Sequence, residues 1–277
     1  MTDQDPSTNG RARIAAAFAR AQQAQSAALM PYYTLGYPDR QTALDVVTAV
    51  APYSDLLELG VPFSDPLADG PTIQHSTQIA LENGTTVSGC LAMLRELRQR
   101  GVTTPVMLMG YYNPILAYGI TNYVRDAAAA GADGFIVPDL PPEEADELEQ
   151  TAAAVGLVLI HFLAPTSSPA RIANVAGRAQ GFIYLVSLTG VTGARTAVQT
   201  DLASFVARVR QQAHVPLAVG FGISTPQQAA QIGGMADGVI VGSALINAVD
   251  RADADKPGAA AAFVQALRAA LTGHNTP

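Results

Sequence analysis

Leu57-Glu58-Leu59-Gly60-Val61-Pro62-Phe63-Ser64-Asp65-Pro66-Leu67-Ala68-Asp69-Gly70-Pro71 is the stretch on which the reading of this chain turns. It starts as an apolar strand and breaks at Pro62 into a loop, and three carboxylates fall between positions 58 and 69. Side chains of a strand alternate between its two faces. Leu57, Leu59 and Val61 therefore share one face, and Glu58 points to the other. A carboxylate in an apolar strand is costly to bury without a partner. From the residues alone two readings of Glu58 stand side by side: a general acid/base, or half of a structural ion pair.

Similar apolar runs lie on either side of 56–60, at 28–34, 105–110, 134–137, 157–162, 182–187, 216–220 and 238–242. Helical patterns fill the intervals, at 42–50, 87–100, 123–130, 143–154, 170–176, 201–212 and 226–232. Ile14, Ala17 and Phe18 have helical spacing and predict a further helix over 11–22. The alanine-rich end after Pro257 predicts a last one. Eight strands alternating with helices, and no Pro/Gly/Ser-rich linker, predict an α/β fold: a (β/α)8 TIM barrel with an extra N-terminal helix. It is expected as one domain over 1–277, with residues 1–10 disordered. A doubly wound sheet is the alternative that the pattern leaves open. In such barrels the site lies at the C-terminal strand ends, where Glu58 and the 62–70 loop fall.

Composition narrows the chemistry. With 277 residues, 49% of them hydrophobic, the chain has enough apolar material for a large core. A formal charge of −7 and no basic block speak against nucleic acid or an anionic membrane as partner. No apolar run reaches the roughly 20 residues that span a bilayer. The single cysteine, Cys90, allows no internal disulfide and fits a reducing compartment. The polar, acidic start is wrong for a secretory signal, so a cytoplasmic location is expected. Lys256, the sole lysine, lies in a loop-like stretch near the end, which disfavours Schiff-base chemistry and a pyridoxal phosphate of the chain's own. The histidines show no ligand spacing and Cys90 has no cysteine partner, so no metal site is expected.

Three glycine-rich turns follow the last three strands: Gly190 to Gly193, Gly220-Phe221-Gly222 and Gly242-Ser243. Glycine lets backbone approach an anion, and Gly242-Ser243 opens a helical stretch, 244–250, whose amides and dipole favour negative charge. Each turn alone reads equally as a tight turn. Together at one end of a barrel they point to a phosphorylated ligand, held by amides and the Ser243 hydroxyl. Phe221 offers a flat apolar contact or plugs its loop. Arg195 and Thr196 belong to a polar stretch that reads as a mobile lid or a plain surface loop. Asp139 reads as orienting a neighbour or capping the next helix, the cap being favoured, His161 as a structural residue and Asp65 as a turn residue.

The 57–71 stretch closely resembles the signature of the tryptophan synthase α subunit family, with further matches from Pro31 to about Asp250. The resemblance implies a TIM barrel and retro-aldol cleavage of indole-3-glycerol phosphate to indole and glyceraldehyde 3-phosphate. It makes Glu58 and Asp69 catalytic, although Asp69 by itself is a turn residue. Tyr184, Phe221 and Tyr111 become substrate-binding residues, and Gly193, Gly222, Gly242 and Ser243 phosphate-binding ones. Leu188 departs from the arginine that many members carry in this loop. The resemblance further implies no cofactor in this chain, and a β subunit carrying pyridoxal phosphate in an αββα tetramer. Another phosphate-binding barrel isomerase, or a silent ligand-binding activator subunit, is the alternative.

Overall fold

In this computed structural model the described residues are 9–186, 195–220 and 222–272, with 195–201 described by their backbone alone. Strands β1 (Ala28–Thr34), β2 (Leu57–Gly60), β3 (Val106–Met109), β4 (Gly134–Ile136), β5 (Val158–Leu163), β6 (Ile183–Val186), β7 (Leu217–Gly220) and β8 (Gly238–Val241) close into a barrel in sequence order. Every neighbouring pair is parallel, and β8 returns to pair with β1. Parallel strands need long crossovers and end up buried on both faces, so β1 and β2 are buried throughout. This double burial explains why the strands read as unbroken apolar runs.

The crossovers are α2 (Arg40–Val50), α3 (Pro71–Glu82), α4 (Val87–Gln99), α5 (Tyr112–Tyr118), α6 (Ile120–Ala130), α7 (Asp146–Ala154), α8 (Pro169–Arg178), α9 (Arg195–Arg210) and α10 (Pro226–Gly233); α11 (Ser243–Asp250) and α12 (Lys256–Leu271) follow β8. The predicted extra helix is α1 (Gly10–Gln23). It lies against the N-terminal end of the barrel. Phe18 meets Phe182 at 5.7 Å between ring centres, and Arg13 reaches Asp133 at 2.9 Å.

That end is fastened by one repeated device. Asp55, Asp133 and Asp237, just before β2, β4 and β8, accept the backbone N–H of Leu29, Val106 and Leu217 on the preceding strand at 2.7, 2.8 and 2.7 Å. Each also pairs with arginine: Asp55 with Arg268, Asp133 with Arg13 and Arg98, Asp237 with Arg210. The bottom of the barrel is thereby closed with satisfied charge.

Differences from expectation are local. Strand ends move by at most one residue, within the usual scatter of element boundaries. Asn9 and Gly10, expected to be disordered, are the cap and first residue of α1, and Asn9 Oδ1 accepts from Arg11 N–H at 3.0 Å. Helix α3 was not predicted, because its buried face consists of Ser76, Thr77 and Ala80 and gives no hydrophobic period. Helix α5 is seven residues long, too short for a period to register. Helix α9 begins at Arg195, six residues before the predicted Asp201, so Arg195 and Thr196 are helical backbone and not lid loop.

Candidate active site

A cavity of about 650 Å³ opens at the C-terminal end of the barrel, lined by residues of all eight strands or their following loops. Glu58 lies in its wall. The β2 register sets it opposite Tyr32 on one side and Met107 on the other, and the alternation of a four-residue strand turns it inward. Its side chain is 4% exposed, and its Oε2 has no hydrogen-bond partner. Burial first, and the nearby Asp69 carboxylate second, raise its pKa from the ordinary 4.5 to about 8. Glu58 is therefore a carboxylic acid at neutral pH. The ion-pair reading falls, since no cation pairs with it among the described residues.

Asp69 reaches the same cavity from the loop between β2 and α3. Its backbone N–H donates to Pro66 at 3.1 Å and its carbonyl accepts from Gln74 at 2.9 Å, which shapes the loop into a turn. Tyr111, just after β3, fixes the side chain. Its hydroxyl donates to Asp69 Oδ2 at 3.0 Å and accepts from the Ala68 N–H at 3.0 Å. Burial raises the Asp69 pKa to about 6, with the Tyr111 hydrogen bond opposing it. The two carboxyls are thus split, Glu58 protonated and Asp69 ionised near pH 7. A pair pushed apart in this way is equipped to divide acid and acceptor roles.

Tyr184 lies in the cavity wall on β6, with Phe162 of β5 beside it at 4.7 Å between rings. Its hydroxyl leans over Gly220, where a Cβ would stand only 2.2 Å away. Tyr32 repeats the arrangement over Gly60, at 2.1 Å. Both strand-ending glycines are required by the tyrosines above them. Gly222, Gly242 and Ser243 all reach the cavity. Gly222 has φ +75°, which a side chain would strain. Gly242 caps α11 without any side-chain bond, so the first amides of that helix, starting with Ser243, lack intrahelical acceptors.

The family model described as tryptophan synthase alpha chain matches residues 18–272. The tryptophan synthase alpha chain of Chloroflexus aurantiacus is 54% identical over 261 residues, covering 94% of this chain and 98% of its own length. That of Geobacter sulfurreducens is 49% identical over the same coverage. This chain belongs to the tryptophan synthase α chain family. Solved structures agree. Tryptophan synthase subunit alpha of Legionella pneumophila superposes with a TM-score of 0.86 at 37% identity, covering 94% of this chain and 98% of that one. Tryptophan synthase of Mycobacterium tuberculosis, in an open form with BRD0059 bound, gives 0.85 at 35% identity, again covering 94% and 98%.

Within this α chain the sequence-predicted site residues divide three ways. Glu58, Asp69, Tyr184, Gly222, Gly242 and Ser243 converge on the one cavity. Tyr111 stands behind it, acting on Asp69 and not lining the space. Gly193, Phe221 and Leu188 lie outside the described residues. Asp139, read as a cap of the helix that follows it, instead bonds the start of α5 after β3: its carboxylate accepts the Tyr112 N–H at 2.9 Å. His161 faces away from the cavity toward α7, 3.6 Å from Glu149, and burial lowers its pKa. Asp65 is exposed and its carbonyl accepts the Leu67 N–H in a turn, as read.

Tyr32, Ile73, Met109 and Phe162 line the cavity and were missed. Tyr32 and Met109 carried a usable signal, because each shares the inward parity of a residue paired with Glu58. Ile73 carried none, since its helix was unrecognised. Among the described residues no three His, Cys, Asp or Glu side chains stand together as a metal site, and no helix is long and apolar enough to cross a membrane.

Proposed function

We propose that Glu58 and Asp69 carry the α reaction of the family in this chain, the cleavage of indole-3-glycerol phosphate to indole and glyceraldehyde 3-phosphate. The observation that carries the reading is the split carboxyl pair, with Glu58 held near pKa 8 and Asp69 near 6 in one cavity. A retro-aldol cleavage needs an electron sink, and here the indole ring supplies it once carbon C3 is protonated. Glu58 gives its proton to C3. Asp69 accepts a hydrogen bond from the ring N–H and stabilises the positive charge that develops there. The Glu58 carboxylate then takes the proton of the adjacent glycerol hydroxyl. The aldehyde C=O forms, the C3–carbon bond breaks, and its electron pair restores the aromatic ring. Glu58 ends the cycle protonated, as it began.

Tyr184 and Phe221 flank the flat indole in this reading, and Tyr111 holds Asp69 in place. The substrate phosphate lies on Gly193, Gly222, Gly242 and Ser243, at the N-terminus of α11 where free amides and the helix dipole converge. Family membership implies a β-subunit partner. We assign it the pyridoxal phosphate and an αββα assembly in the cytoplasm. Leu67 and Leu116, 84% and 49% exposed, lie on the loop after β2 and on α5. They are the apolar surface such a partner would cover.

Indole release from indole-3-glycerol phosphate by the purified chain, alone and with a β subunit, tests the reading. Cleavage in either condition is expected. No cleavage in both, with substrate still bound, would instead support a silent activator subunit.

A further inference from the structure

The mechanism above leaves unused a line of three hydroxyls that runs from the cavity wall into the barrel shell. Tyr32 Oη lies 3.2 Å from Thr34 Oγ1, Thr34 Oγ1 lies 2.7 Å from Ser76 Oγ, and Ser76 Oγ lies 2.9 Å from the carbonyl oxygen of Ile73. All three side chains are buried. The last group in the line has no proton, and this fixes the direction of the others. Ser76 must donate to Ile73. Thr34 must then donate to Ser76, and Tyr32 must donate to Thr34. A hydroxyl has one proton and two lone pairs, so no other orientation satisfies all three contacts. The phenol proton of Tyr32 is committed away from the cavity, and its oxygen keeps only acceptor capacity.

The place of that oxygen narrows what it accepts from. The Tyr32 ring lies against Gly242, whose absent Cβ would be 3.3 Å from Tyr32 Cδ1, and its hydroxyl lies over Gly60 at the end of the Glu58 strand. One end of the ring thus touches the proposed phosphate turn and the other stands a step above the proposed acid. A phosphate ester anchored at the turn, with its reacting carbon at Glu58, must run its carbon chain along this ring. We propose that the Tyr32 phenol oxygen accepts a hydrogen bond from the hydroxyl on the middle glycerol carbon of the substrate. Tyr32 is then a specificity determinant that selects a hydroxylated chain over a deoxygenated one. The inference rests on the α reaction assigned above.

The test compares wild type and Tyr32→Phe on indole-3-glycerol phosphate and on its analogue lacking the middle hydroxyl. Calorimetric affinities for both compounds are measured alongside turnover. Tyr32→Phe leaves no buried donor unpaired, because Thr34 still donates to Ser76, so the fold is expected to survive. The variant should lose about three- to ten-fold in kcat/KM and in affinity on the full substrate, the scale of one neutral hydrogen bond. On the deoxy analogue the two proteins should match. Equal losses on both compounds, or no loss on the full substrate, would overturn the proposal. If wild type binds both compounds and cleaves neither, the reaction assignment fails while the affinities still decide the role of Tyr32.

Discussion

Glu58→Gln keeps the size of the side chain and removes one titrating proton, and its effect on stability follows from the structure. The pKa of Glu58 is about 8 in the folded protein against an ordinary 4.5. Between those values the folded chain holds a proton that the unfolded chain has released, so stability falls as pH rises. The stabilising contribution of the proton is complete below pH 4.5 and is lost as pH climbs through about 8. A gap of roughly 3.5 units at about 1.4 kcal/mol each sets a ceiling near 5 kcal/mol. Dielectric relaxation around the ionised group lowers this, giving roughly 2–5 kcal/mol. The glutamine variant has no such slope. Urea unfolding of both proteins at pH 5, 7 and 9 should therefore show a variant near wild type in acid and more stable than wild type by about that amount in base. Titrating groups that do not touch Glu58 are common to the two and cancel. Catalysis should move the opposite way, with turnover falling about 10²–10⁴-fold because an amide cannot protonate carbon. Parallel stability profiles would refute the buried neutral acid, and near-normal turnover would refute its role.

Three further outcomes concern the same pair and the tyrosine that holds it. The pH profile of kcat/KM should be bell-shaped, with an acid limb near 6 as Asp69 gains a proton and an alkaline limb near 8 as Glu58 loses one. Asp69→Asn should erase the acid limb, move the alkaline limb to lower pH because the like charge beside Glu58 is gone, and cost about 10²-fold or more in kcat/KM. A variant with both limbs intact would show that other groups titrate. Tyr111→Phe removes the hydrogen bond that holds the Asp69 pKa down, so the acid limb should move above 6, with a neutral-pH loss of about two- to ten-fold. A limb that stays in place, read from rates between pH 5 and 7, would remove Tyr111 from the site.

Periodicity made the barrel legible because parallel strands are buried on both faces and helices on one, and both patterns survive in residue order. Glu58 was legible for the same reason, as an acid breaking an apolar alternation. Gly222 and Gly242, which reach the cavity, were legible as glycine-rich turns after the last strands. What stayed hidden was hidden by chemistry that hydrophobicity does not record. Helix α3 turns a serine, a threonine and an alanine to the barrel. Its Ser76 is there to anchor the hydroxyl line from Tyr32. Tyr111 matched a site position, yet its contribution passes through Asp69, across 42 residues of sequence. Asp139 was read as a cap of the helix after it, whereas the helix whose first amide it accepts precedes it in the chain, so nothing local identified the partner.

The acids of this barrel also argue for function through how differently they are treated. Asp55, Asp133 and Asp237 sit just before strands, and each meets a strand N–H within 2.8 Å and at least one arginine. Carboxylates handled in this way are neutralised by charge-assisted bonds. Glu58 sits within a strand, is more deeply buried than Asp55 or Asp237, and has an Oε2 with no partner and no arginine beside it among the described residues. An unsatisfied buried oxygen costs about 1–3 kcal/mol, and a sequence selected for stability alone would have supplied an arginine there as it did three times at the other end. The chain carries fifteen arginines and places none of them in contact with Glu58 among the described residues. A cation at that position would pull the pKa down, ionise the group and end its capacity to donate. The barrel accepts the cost at its mouth because a neutral acid exists only where the pairing used at its base is withheld.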